Sequence, residues 1–280
     1  MDSIWIMLTG ILVAVNCSLL GVFLLLRKMT MIGDAIAHAV LPGIVLAYFV
    51  TQSKGGVVVL AGAALFGIIT TLLIELFHKQ LRLQTDAAIG MVFTVLFSVG
   101  VILISLFANQ VELDQECVLY GEIAYVGLDT WYDVPRSIWL LGGLLIVVVN
   151  FVIFGYRPLW ASTFDATFAT LTGVSVLFWH YALMSLVSVT TVFAFESVGA
   201  ILVVAFLIGP AATAYLVAKN LKQMLLGAVL AGLGAVIGGF YLAVWCNSSL
   251  AASMATFVGI EFLAVLLFKK IRMASATSAV

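Results

Sequence analysis

Charged residues are scarce in this chain, since Asp, Glu, Lys and Arg together make up 9% of its 280 residues. A soluble globular domain contains about 25% of them. The formal net charge is −1, so the overall charge indicates no particular partner. This composition excludes a disordered chain, a nucleic-acid-binding protein and an ordinary cytosolic enzyme.

Cysteine is also rare, and Cys17, Cys117 and Cys246 have no metal-ligand spacing. Cys117 and Cys246 are expected on the same side of the membrane and could form a disulfide. Unpaired cysteines that act as small apolar side chains are the more common case, and we expect that role here.

Apolar residues are in large excess, at 64% of the chain, and the mean hydropathy is +1.26. A membrane-spanning helix needs about 20 apolar residues, so this content is enough for about nine helices. We therefore predict an all-α polytopic membrane protein with one transmembrane domain over residues 1–272 and a short cytoplasmic tail over 273–280. Eight or ten spans remain as alternatives, but the apolar runs favour nine, at 5–26, 30–50, 56–77, 87–108, 137–156, 174–192, 194–218, 223–245 and 250–268.

The basic residues between these spans predict the orientation. Lys54 and Arg136 fall on one side and the other ten of the twelve on the opposite side. Because Lys and Arg are retained in the cytoplasm, we expect the N-terminus outside and the C-terminus inside. The ten are Arg27, Lys28, Lys79, Arg82, Arg157, Lys219, Lys222, Lys269, Lys270 and Arg272.

Two predicted connections are longer than turns. The external loop 109–136 is acidic and could concentrate cations or dock a charged partner, or its acids could simply be solvated. In the cytoplasmic loop 157–173, Ser162 or Thr163 could cap a short helix with Asp165 in its first turn and Gly173 at its end. Such a helix exposes Phe164 and Phe168 together, either to lipid or to a cytoplasmic partner.

Ionisable residues inside the predicted spans are candidate functional residues, because charge in hydrocarbon is costly. Glu75 precedes Lys79 by four residues, and a local ion pair explains it best. His180 is isolated, so a hydrogen bond to a neighbour is more common than metal ligation. The sequence suggests no partner for Glu261.

Asp34 and His38 stand at i and i+4, so both project from one helix face. A carboxylate and an imidazole together suit divalent cations such as Zn, Mn or Fe. Pro42 follows on this face and should weaken the helix there. The pair alone is equally consistent with a structural Asp–His hydrogen bond. Glu196 begins a further run that contains Gly199 and Pro210, and an acid there must pair or face water.

Three stretches carry a resemblance to a known family. They are Gly33-Asp34 through His38 to Pro42-Gly43, Phe164-Asp165 with Gly173, and Val198-Gly199 through Pro210 to Ala214. With this motif order, the chain resembles the permease subunits of bacterial ABC importers for manganese, zinc and iron. That resemblance implies a permease fold of the vitamin-B12/metal-chelate type in the bacterial cytoplasmic (inner) membrane.

The resemblance also implies roles for individual residues. Asp34 and His38 look like the family's metal-contacting pair, and Glu196 looks like a residue of the path or gate. The loop with Phe164, Asp165, Phe168 and Gly173 looks like the coupling segment that docks into the ATPase. Pro42, Gly43, Gly199 and Pro210 look like helix-break and packing positions. The transported metal would be cargo, with no permanently bound cofactor.

The sequence contains no Gly-x-x-x-x-Gly-Lys-Ser/Thr phosphate loop. ATP hydrolysis would therefore take place on a separate chain, and this chain would not itself be an enzyme. The resemblance implies two ATPase subunits, a second permease subunit that is identical or paralogous, and an external solute-binding protein. A secondary carrier driven by a proton or ion gradient is the alternative, because its path would also use intramembrane Asp, His and Glu.

Overall fold

The computed structural model describes residues 2–51, 57–107, 123, 130–131 and 134–277, and nearly all of them are helical. A short antiparallel hairpin pairs β1 (Thr130–Trp131) with β2 (Val134–Pro135). The helices in these ranges are α1 (Asp2–Leu26), α2 (Ile32–Ala39), α3 (Leu41–Thr51), α4 (Val57–Gln80), α5 (Thr85–Phe107), α6 (Arg136–Phe154), α7 (Tyr156–Phe164), α8 (Ala166–Leu171), α9 (Val176–Val198), α10 (Ala200–Val217), α11 (Leu221–Cys246) and α12 (Leu250–Thr277).

Within the described ranges, nine helical segments are long and apolar enough to cross a membrane. This confirms the predicted number of spans. Helices α2 and α3 together form the second crossing, Ile32–Val50. The short helices α7 and α8 lie between the fifth and sixth crossings.

One predicted boundary was wrong. The chain breaks at Gly199, between α9 and α10, whereas the sequence placed the break near residue 193. Gly199 has a φ of 85°, which a residue with a side chain rarely adopts. Glu196 therefore lies in the last turn of α9 and does not begin the following helix.

The helices form two groups that α9 connects. Helices α10 and α11 pack on each other and on both α1 and α12, and α6 lies along α1. Helices α2, α3, α4 and α5 form the second group, and α9 contacts members of both. Because backbone polar groups in lipid must be satisfied internally, each crossing is helical.

Small residues allow the closest approaches in both groups. A Cβ added at Gly21 of α1 would overlap the backbone carbonyl oxygen of Leu207 in α10. A Cβ added at Gly43 of α3 would lie 2.5 Å from the Gly62 carbonyl oxygen in α4. Pro210 is buried inside α10. Packing of small residues is the usual way in which membrane helices associate.

Most of the predicted external loop, with Cys117, lies outside the described residues. Cys17 is buried and Cys246 is exposed at the end of α11, and the expectation that Cys117 and Cys246 are unpaired stays a prediction. At the other end, α12 continues to Thr277. The segment predicted as a tail from residue 273 is thus helical up to that position.

Candidate functional site

A break in the second crossing positions Asp34 and His38. Helix α2 ends at Ala39, and α3 begins at Leu41 with Pro42 in its first turn. Pro42 has no amide hydrogen, so it cannot make the helical hydrogen bond to the carbonyl of His38. The break lies next to Pro42, where the sequence predicted a weakened helix.

Asp34 and His38 project side by side from α2. His38 Nε2 lies 3.6 Å from Asp34 Oδ1, which is longer than a hydrogen bond. The His38 ring packs against Phe93 and Phe97 of α5, with ring centroids 5.4 and 5.9 Å away. The Asp34 side chain is 41% exposed and that of His38 is 27% exposed. Both polar groups are therefore partly accessible on the surface of the single chain.

Glu196 is exposed at the end of α9. Its neighbour Phe195 and Ala200 form a small buried cluster with Ala37, which precedes His38. The break between α9 and α10 thus packs against the helix of the Asp34–His38 pair. Even so, the described residues contain no group of three or more His, Cys, Asp or Glu side chains placed to hold a metal ion. Asp34 and His38 come together, and Glu196 does not complete a three-ligand site with them.

The cytoplasmic loop contains two short helices instead of the predicted one. Ser162 and Thr163 lie inside α7, so neither caps a helix. Asp165 is the N-cap of α8, and its Oδ1 accepts a 2.9 Å hydrogen bond from the amide of Phe168. The helix cap therefore lies two or three positions later than predicted, at Asp165 instead of Thr163 or Ser162, because the chain offers three cap-forming residues close together.

Gly173 lies two residues after the end of α8 and has a φ of 80°. The amide of Gly173 donates to Thr170 O, and the amide of Val174 donates to Ala169 O. This pair of bonds is the Schellman arrangement, in which glycine is favoured. Phe164 is 56% exposed and Phe168 is 51% exposed, so the loop presents two aromatic rings on its surface.

A partly buried polar network joins α7 to the membrane helices, and the sequence did not reveal it. Arg27, just after α1, donates to Thr163 Oγ1 at 3.2 Å and to Ser162 Oγ at 3.0 Å. It also lies 3.0 Å from His180 Nδ1. Because Arg can only donate, Nδ1 accepts and the His180 proton is on Nε2. That Nε2 lies 3.0 Å from Glu75 Oε2.

Glu75 completes the network through Lys79, whose Nζ lies 2.6 Å from Glu75 Oε1. The predicted ion pair is therefore present, and His180 has the hydrogen-bonded role expected of it. Burial lowers the pKa of Arg27 to about 10, although the Glu75 carboxylate acts in the opposite direction. The network lines a cavity of about 710 Å³ between α1, α4, α7 and α9.

Comparison with known proteins agrees with this architecture. The chain is 44% identical to the manganese transport system membrane protein MntD of Bacillus subtilis over 270 residues, which cover 94% of this chain and 91% of that protein. It is 42% identical to the zinc transport system membrane protein TroD of Treponema pallidum, with coverage of 94% and 73%.

A solved structure, PsaBC from Streptococcus pneumoniae in complex with Fab, superposes with a TM-score of 0.77 at 30% identity. The match covers 93% of this chain and 89% of that one. It confirms the predicted permease fold. The model of the ABC 3 transport family matches residues 3–269. This chain belongs to the ABC 3 transport family, as the resemblance of its motifs indicated.

Proposed function

We propose that this chain is the membrane subunit of an ABC importer that moves a divalent transition-metal cation, Mn, Zn or Fe, into the cytoplasm by alternating access. The observation that carries the proposal is the Asp34–His38 pair beside the break in the second crossing. The names of the relatives, which describe manganese and zinc transport systems, support the same class of cargo. Both ligand types suit these borderline cations.

The exposure of the pair indicates how the path is built. Asp34 and His38 are too polar to face hydrocarbon at this position, so another protein surface or water must cover them. A second permease subunit, identical or paralogous, would enclose the path between the two chains. Glu196, exposed near this helix, would then line or gate that path. Two ligands from one chain would give a site weak enough to release its cargo.

ATP hydrolysis would be supplied by two separate ATPase subunits. The segment from Phe164 to Gly173 is the docking element, with Phe164 and Phe168 as the exposed contacts and Asp165 as the cap that holds α8. An external solute-binding protein would deliver the metal at the opposite side. The predicted external loop 109–136 would receive it.

The positions of the basic residues support an N-terminus outside and a C-terminus in the cytoplasm of a bacterium. Arg27, Lys28 and Lys79 line the same cavity as Ser162 and Thr163 of α7. The ends of α1 and α4 and the coupling segment thus share one end of the bundle. Under the positive-inside rule this end is cytoplasmic.

The test is metal uptake by cells that depend on this permease. We expect Asp34→Asn and His38→Gln to reduce uptake of the cargo metal at least about tenfold while the protein still reaches the membrane. Asp86→Asn, which makes the same chemical change in the first turn of α5, is the matched control. Uptake at the unaltered rate in both pair variants would contradict the proposal.

A second experiment separates the importer from the secondary carrier. Replacing the lysine in the phosphate loop of the partner ATPase should abolish metal uptake. Phe164→Ala in this chain should lower the metal-stimulated ATP hydrolysis by that ATPase. Uptake that continues with an inactive ATPase and stops when the proton gradient is dissipated would instead support the secondary carrier.

A further inference from the structure

A groove lies on the outer surface of the helix bundle between α6 and α11, with α1 at its base. Its volume is about 690 Å³. Most of its wall is aliphatic or aromatic, and Ile153 and Leu226 are 65% and 67% exposed. The apolar lining residues are Leu19, Val149, Val152, Ile153, Phe154, Leu225 and Leu226.

Two cations stand at one end of this groove. Arg157, at the start of α7, and Lys222, at the start of α11, both line it. The Lys222 Nζ lies 5.8 Å from the centroid of the Tyr156 ring, which holds the ammonium group at the groove. No carboxylate lines the groove, and among the described residues neither cation forms a salt bridge.

The two cations and the apolar walls together indicate which kind of molecule fits the groove. A free anion would be attracted by the two charges, but it would leave the long apolar walls unfilled. A neutral lipid would fill the walls and leave the two charges without a counterion. Basic pockets between membrane helices at their cytoplasmic ends suit anionic lipid headgroups. A molecule with a negative headgroup and an acyl chain satisfies both parts of the groove.

We propose that the groove between α6 and α11 binds one anionic phospholipid, with its phosphate near Arg157 and Lys222 and an acyl chain against Val152 and Leu226. The bound lipid would hold the corner where α6 turns into α7. It would also connect that corner to α11, which α6 does not otherwise contact closely. The site is independent of the proposed metal path, which involves α2 and α5.

The test is lipid retention by the purified, detergent-solubilised protein in native mass spectrometry. The wild-type protein is titrated with phosphatidylglycerol and with phosphatidylcholine of the same chain length. We expect preferential retention of one phosphatidylglycerol. The double variant Arg157→Gln/Lys222→Gln should weaken this retention by about tenfold or more, because each cation near the headgroup contributes separately.

The matched control is Arg82→Gln/Lys269→Gln, which removes the same charge from two other basic positions outside the groove. Leu226→Trp keeps both cations and fills the apolar wall, so it should also weaken retention. Thermal unfolding of each variant shows that it is folded. In a further experiment, inorganic phosphate is added to the wild-type protein with bound phosphatidylglycerol, and it should not displace the lipid.

Three results would overturn the proposal. The first is equal retention of phosphatidylglycerol by the double variant and the control. The second is displacement of the lipid by millimolar phosphate, which would make the groove a simple anion site. The third is efficient cross-linking between two copies through Ile153→Cys, which would show that protein covers the groove.

Discussion

Arg27→Met is the substitution that tests the partly buried polar network most directly. Arg27 donates to Ser162, Thr163 and His180, and Met keeps much of its length without any donor. Hydrogen bonds in membrane proteins contribute about 0.6 kcal/mol on average, and charge-assisted bonds about 1.5 kcal/mol or more. Three such bonds give an expected loss of about 2–5 kcal/mol in the free energy of unfolding.

The loss should be concentrated in α7, because two of the three bonds end there. We expect faster amide hydrogen exchange over Tyr156–Phe164 in Arg27→Met, measured by mass spectrometry on the solubilised protein. Denaturant-induced unfolding of the same sample gives the change in free energy. Arg27→Lys should have an intermediate effect, because an ammonium group cannot form the same planar set of bonds.

Lys28→Met provides the control, since Lys28 is the adjacent cation and is exposed. If the free energies of unfolding of Arg27→Met and Lys28→Met differ by less than about 0.5 kcal/mol, the network does not stabilise α7. The reasoning from the three bonds is then refuted. Unchanged exchange in α7, with a lowered global stability, would refute the localised effect.

Three further outcomes are expected. Gly21→Ala should destabilise the protein by about 3 kcal/mol or more and yield aggregated material in size-exclusion chromatography, because its Cβ would overlap Leu207 O. Gly90→Ala, where a Cβ meets nothing within 4 Å, should be neutral or stabilise α5 by up to about 1 kcal/mol; similar elution of both variants would contradict the packing argument. Asp165→Ala should weaken α8 by about 1 kcal/mol, seen as faster exchange of the Phe168 amide, and unchanged exchange there would contradict the capping role.

The number of crossings could be predicted from the sequence because hydrocarbon thickness sets a minimum length for each apolar run. The break beside Pro42 was also predictable, since proline removes a specific backbone donor. The end of α9 could not be predicted from the sequence. The sequence favoured a break near residue 193, before Glu196, while the actual break depends on the positive φ of Gly199.

The candidate site also contains a part that could be predicted from the sequence and a part that could not. Asp34 and His38 are four residues apart, so their helix spacing shows that they are neighbours. The network of Arg27, Glu75 and His180 joins positions 105 and 153 residues apart in the chain. Local periodicity carries no information about such pairs. Ser162 and Thr163 resembled caps because their hydroxyls suit that role, but these hydroxyls accept from Arg27 instead.

The contact of Gly21 with the Leu207 carbonyl has a mechanical consequence. Two helices whose backbones touch cannot slide past each other without first separating, so α1 and α10 form a stiff part of the bundle. The breaks beside Pro42 and at Gly199 interrupt helical hydrogen bonding and are the compliant points. In the proposed alternating access, bending would therefore concentrate at these two points while α1 and α10 move as one rigid body.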